Sequence, residues 1–134
     1  MGNSAVIYAT GITKNTKKAA EYIARKTGSD IFNLKEITLI DISGYDTIIF
    51  GTGIHAGKPY KALVEFMDKN KDALKDKKLH LFIECMYNSE KGDKQRDAVA
   101  EQLGIHHAAY FNKKAEEMND AGFPAAIDDF IAEL

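Results

Sequence analysis

The sequence predicts a doubly wound α/β domain spanning residues 1–134, with five parallel strands and helices on both faces. Three observations lead there. Short β-rich runs alternate with stretches of helical period along the chain. Several of those runs are near-continuous apolar stretches, the pattern of strands covered on both sides. The segment "AVIYATGITKNTKKAAEYIA", residues 5–24, reads as a strand that stops in a Thr/Gly/Asn loop and then opens a helix.

Each element has its own warrant. Strands are expected at Ala5–Ala9, Asp30–Leu34, Thr47–Gly51, Leu79–Cys85 and His107–Phe111. A first helix from about Asn15 puts Thr16, Ala19, Ala20 and Ile23 on one face. The connection "KEITLIDISGYD" is too short for a full helix. Pro59 is expected as a first helical residue, followed by a buried stripe of Ala62, Leu63, Phe66 and Met67. Ala98, Val99 and Leu103 mark a fourth helix, and Ile127, Phe130, Ile131 and Leu134 the last. The polar stretch 112–122 is either a surface excursion or a short helix.

Composition narrows the function. A net charge of −2 gives no electrostatic case for nucleic-acid binding. The lone Cys85 cannot form an internal disulfide, which fits a reducing, cytoplasmic setting. "MGNSAVIY" has no basic region ahead of an apolar one, and Val6 breaks the myristoylation pattern, so neither a leader nor a lipid anchor is expected. No apolar run approaches membrane-spanning length, so membrane insertion is not expected.

Ligands of such sheets bind beyond the carboxyl ends of the strands. The loops to inspect are therefore 10–16, 52–58, 86–92 and 112–122. The first ends a strand and opens a helix, where backbone N–H groups lack intrahelical partners and the helix dipole favours an anion. Thr10, Thr13, Asn15 and Thr16 supply hydroxyl and amide groups there, suited to a phosphate and equally suited to capping the helix.

This loop resembles that of the flavodoxins, approximately Ser-x-Thr-Gly-Asn-Thr, which grips the phosphate of FMN. Gly11, Ile12, Thr13, Lys14, Asn15 and Thr16 occupy those places, with Lys14 replacing the usual glycine. The segment "LIDISGYDTIIFGTGIHAGKPYKALVEFMDKN" is similar to the family's next motif. Its Gly51, Ile54 and Gly57 match the Gly-x-x-Ile-x-x-Gly spacing of the branch that includes menaquinone-dependent protoporphyrinogen dehydrogenase. The resemblance implies strand order 2-1-3-4-5 and FMN as cofactor. It implies contacts from Thr10 and the first loop, then from Thr52, Gly53, Ile54, His55, Ala56 and Gly57, and finally from Cys85, Met86, Tyr87 and Asn88.

In the family an aromatic ring lies on each flavin face. Tyr87 is expected on one; the other falls on His55 or Ala56. A backbone carbonyl of the second loop turns toward flavin N5–H on reduction, and Gly57, or Ala56, is the candidate for that turn. Gly53 is expected to let the chain approach the flavin. Cys85 reads as a packing residue rather than a nucleophile, and Glu84 as a solvent-facing strand end rather than a contact to the flavin. Lys14, Lys17, Lys18, Lys58 and Lys61 are expected around the site, where cations favour a flavin anion.

Other motifs fail. Gly51-x-Gly53-x-x-Ala56 matches a dinucleotide fingerprint, but Gly57-Lys58-Pro59 postpones the helix that must open within it. "HAGKP" is not a Walker loop, because Pro59 stands where a magnesium-binding hydroxyl is required. A receiver domain needs aspartates where Ala9-Thr10 and Gly51-Thr52 stand. Adjacent His106 and His107 on a strand face opposite ways and cannot chelate one ion, and His80 reads as an ordinary polar residue of the sheet. The expected function is an FMN electron carrier serving redox partner proteins. The alternatives are a flavin-dependent oxidoreductase resembling protoporphyrinogen dehydrogenase, and a flavodoxin-like scaffold that has lost FMN.

Overall fold

The computed structural model describes residues 3–10, 15–37, 39–55, 57–84, 89–111 and 118–134, without the side chains of residues 55 and 89. Its elements run β1 (Ser4–Ala9), α1 (Asn15–Thr27), β2 (Asp30–Asn33), β3 (Thr47–His55), β4 (Lys58–Pro59), α2 (Lys61–Lys69), α3 (Lys71–Leu74), β5 (Lys78–Glu84), α4 (Ser89–Leu103), β6 (His107–Phe111) and α5 (Ala126–Ala132). The sheet order is β2-β1-β3-β5-β6 and every pairing along that path is parallel. Counting the five parallel strands alone, this is 2-1-3-4-5. The difference from expectation is β4, which folds back on β3 antiparallel.

Strand alternation distributes the apolar residues to two faces. Ile7, Ile48, Phe50, Leu81 and Ile83 point to one side, where Leu63, Phe66 and Met67 of α2, Leu74 of α3 and Val99 of α4 cover them. Val6, Tyr8, Ile49, Phe82 and Phe111 point to the other, under Ala19, Ala20 and Ile23 of α1 and Ile127 and Phe130 of α5. The link from β2 to β3 carries no helix among its described residues; instead Leu34, Ile40 and Ile42 bury themselves against the first face. Gly51 has a packing reason: a Cβ there would lie 2.2 Å from Phe82 Cζ.

The second loop departs most from expectation. β3 does not stop at Gly51 but continues to His55, and Ile54 pairs with Pro59 and His55 with Lys58. Pro59 is therefore a strand residue, and α2 starts two residues later. Proline cannot donate to a ladder and is tolerated at such an edge. Gly57 makes the reversal with φ +78°, a conformation that costs glycine little. Among the described residues no helix is long and apolar enough to cross a membrane.

Candidate functional site

The register brings four strand ends to one level. Ala9 of β1 pairs with Thr52 of β3, Thr52 with Ile83 of β5, and Ile83 with Tyr110 of β6. The segments that follow β1, β5 and β6 thus leave from one edge of the sheet, and the β3–β4 hairpin extends beyond that same edge. A cleft of about 750 Å³ lined by Met67, Leu74, Leu79, Leu103 and Ile105 lies at the opposite, amino edge. Among the described residues no strand of the parallel sheet delivers a carboxyl end there, so the hairpin edge is the candidate site.

Of the sequence-predicted contacts, Gly11, Ile12, Thr13, Lys14, Ala56, Cys85, Met86, Tyr87, Asn88 and the His55 side chain lie outside the described residues. Thr10 is half-buried at the end of β1, and Asn15 is the first residue of α1. The first turn of α1 holds no acidic residue, and Lys17 and Lys18 follow at once, so nothing there opposes the positive end of its dipole. Thr16 is 2% exposed.

Thr52 is fully buried and its hydroxyl is spent on the hairpin. It donates to the Gly53 carbonyl at 2.8 Å and accepts the Tyr60 N–H at 3.1 Å. Its service to the loop is to fix the point where the chain returns from β4 to α2. Ile54 packs half-buried on the core, and Gly57 is exposed with open space beside it. At Gly53 a Cβ would come 2.9 Å from Tyr60 Oη, so within this chain the glycine makes room for the tyrosine ring. Lys58 is exposed on the hairpin, whereas Lys61 leans to Glu65 on its own helix at 3.5 Å.

The sequence reading gave Tyr60 no role at this edge and preferred a solvent-facing strand end for Glu84 over a contact to the flavin. Tyr60 lies over Gly53, a contact made only because β4 returns the chain there. Glu84 was expected to face solvent. Instead it closes β5 between Gly53 of β3 and Phe111 of β6, half-buried by surface and deeper at its carboxyl, and burial pushes its pKa up to about 8. Among the described residues it has no hydrogen-bond or ion-pair partner. A carboxyl in that setting keeps its proton at neutral pH.

A second cluster lies on the α5 side, near the opposite end of β5. His80 and His107 are register partners, and their Nδ1 atoms approach to 2.5 Å. His107 Nε2 meets Glu133 Oε2 at 2.9 Å, and its ring stacks on Phe130 with centroids 5.2 Å apart. Buried His80 is thus one half of an imidazole pair whose other ring, His107, is partly exposed. The signal that would have found it is the β5–β6 register, with His80 facing His107 rather than His106.

The family model of the flavodoxin domain matches residues 5–120. The chain belongs to the flavodoxin domain family. An uncharacterized protein of Methanocaldococcus jannaschii is 35% identical over 106 residues, covering 74% of this chain and 69% of that protein. Among solved structures, a WrbA-like flavodoxin from Agrobacterium tumefaciens superposes with TM-score 0.68 at 21% identity, over 98% of this chain and 94% of that one. A flavoprotein from Lactobacillus acidophilus in complex with FMN gives TM-score 0.65 at 14% identity, over 82% and 93%. An FMN-bound flavodoxin from Fusobacterium nucleatum gives 0.59 at 16% identity, over 99% and 96%. At these identities the structures establish a shared flavodoxin fold.

Proposed function

We propose that this flavodoxin-domain protein holds one FMN at the hairpin edge of its sheet and passes single electrons between partner redox proteins. One observation carries the reading: the family match spans the strand ends β1, β3, β5 and β6, and these reach a common level. The donor set fits the group. The N–H groups opening α1, the acid-free first turn and the hydroxyls of Thr13 and Thr16 suit a phosphate dianion. Bound FMN would supply the one-electron chemistry. The chain's own work is to hold the phosphate, to flank the ring with the hairpin and the segment after β5, and to keep water from the ring.

Two measurements test this. FMN titrated into the purified protein is expected to be quenched at one per chain and to bind far more tightly than riboflavin, which lacks the phosphate. Potentiometric titration of the loaded protein is expected to give two separable one-electron midpoints. Absence of FMN binding overturns the cofactor. A single two-electron transition overturns the carrier role and favours a substrate-specific oxidoreductase.

A further inference from the structure

In a parallel sheet each helix that follows a strand opens at the carboxyl edge, so α1, α2 and α4 all begin on the side where the hairpin stands. The acids near these helix starts are paired on their own helices. Glu65 meets Lys61 at 3.5 Å, Glu90 meets Lys94 at 3.1 Å and Asp93 meets Arg96 at 3.3 Å. The ammonium groups of Lys17, Lys18 and Lys58 have no ion pair among the described residues. Lys18 and Lys58 are exposed and Lys17 is half-buried. Glu84 is half-buried at its strand end, and Glu21 lies a turn deeper along α1. No acidic residue stands in the first turn of α1 or α2 to offset the positive ends of those helices. Segments 11–14, 85–88 and 112–117, which follow strands at this edge, carry Lys14, Lys113 and Lys114 against Glu116 and Glu117, so they do not reverse the sign. The hairpin edge is thus a positive face on a chain whose net charge is −2.

We propose that this face docks an acidic protein partner, an electron-transfer protein whose own redox edge carries surface carboxylates. The inference rests on the carrier reading and adds the charge of the partner to it. Encounter is governed by the charges around the meeting edges rather than by net charge alone. Lys17 and Lys18 follow the end of β1, Lys58 stands on the hairpin that extends β3, and β1 and β3 are neighbouring strands. The unpaired cations therefore sit on adjoining strand ends, at the edge where the proposed cofactor lies. An acidic partner is drawn to that edge and turned toward it. A basic partner is held off there, although the net charge of the chain would attract it. Lysines on flexible stems suit a brief, wet contact with fast release, which an electron carrier needs, rather than a fixed pocket. Nucleic acid is a poorer fit, because three unpaired lysines on a negative chain release few counterions.

The test uses two one-electron acceptors of opposite charge on the full, FMN-loaded chain: plastocyanin, an acidic blue-copper protein, and cytochrome c, a basic haem protein. Contact is read first, without electron transfer. Plastocyanin in its Cu(I) state, which takes no electron, is titrated at low salt into the oxidised, isotope-labelled protein, with and without FMN. Amide shifts are expected in the first turn of α1 and along the hairpin, and are expected to vanish at high salt. Electron transfer is read second. Each productive encounter moves one electron from reduced FMN to Cu(II), giving Cu(I), or to Fe(III), giving Fe(II). The second-order rate constant with plastocyanin is expected to fall about tenfold from low to high salt, and that with cytochrome c to stay level or rise. Lys18→Glu combined with Lys58→Glu is expected to reverse the slope with plastocyanin, whereas Lys18→Arg with Lys58→Arg keeps it. Rates at high salt, where steering is screened, separate any change in driving force from docking. A flat slope with plastocyanin, a faster reaction with cytochrome c at low salt, a slope unmoved by charge reversal, or amide shifts confined to another face each overturns the acidic partner and leaves FMN binding standing. Equal shifts from a short DNA duplex at matched charge assign these lysines to polyanions in general and overturn it as well. Absence of FMN binding overturns the carrier reading and this inference with it.

Discussion

Acidification is expected to unlock the imidazole pair of buried His80 and partly exposed His107. His80 is 9% exposed, its Nδ1 lies 2.5 Å from that of His107, and its Nε2 has no partner. Burial first, then the charges of His107 and Lys78, lower its pKa from 6.5 to about 4. The folded chain therefore keeps His80 neutral, while the unfolded chain takes up a proton below 6.5. The contribution to stability is complete above that value and is lost as pH falls toward 4. A gap of about 2.5 units corresponds to about 3 kcal/mol in all, of which about 2 kcal/mol is gone by pH 5. Glu84 acts in the opposite sense, because its raised pKa makes the folded state bind a proton the unfolded state releases. The measurement is therefore a difference: urea unfolding of wild type and of His80→Phe at pH 7 and pH 5. Asp41 and Asp128, whose carboxyls are held below the usual range by hydrogen bonds, stay ionised through that window. Wild type is expected to lose about 2 kcal/mol more than the variant between the two pH values. Equal losses would refute the burial of an uncharged His80.

Three further outcomes follow from the geometry. Gly51→Ala, which sets a Cβ against the Phe82 ring, is expected to cost about 1–3 kcal/mol of stability in chemical denaturation, as overpacking does. Thr52→Val strands the Tyr60 N–H and is expected to cost about 1–3 kcal/mol, with FMN affinity falling alongside because the hairpin loses its anchor. Lys58→Gln on the loaded protein is expected to lower the second one-electron midpoint by about 20–70 mV, the size of a unit-charge interaction acting over about 10 Å, and the shift should shrink as salt rises.

Most of the fold was legible in the sequence because its signals are local. The apolar run of residues 5–9 and the stripe of Ala19, Ala20 and Ile23 state strand and helix within a few residues of themselves. The link after β2, helix-free among its described residues, was legible for the same reason: its length leaves no room for a full helix. The four loops to inspect followed from the strand ends alone. Pro59 shows where local reading fails. Its fixed φ serves a helix start and an edge strand equally, and only the return of the chain onto Ile54 decides between them.

The sequence by itself determined the order of the five parallel strands and their two-sided burial, since both are set by periodicity along the chain. The tertiary structure alone decided which side chains meet. His80 faces His107 because of a register between strands 27 residues apart. Tyr60 covers Gly53 because β4 reverses onto β3. The Glu84 pKa is raised to about 8 by burial at the end of β5, between Gly53 of β3 and Phe111 of β6. Burial and pairing are sums over neighbours distant in the chain, and no window of sequence contains them.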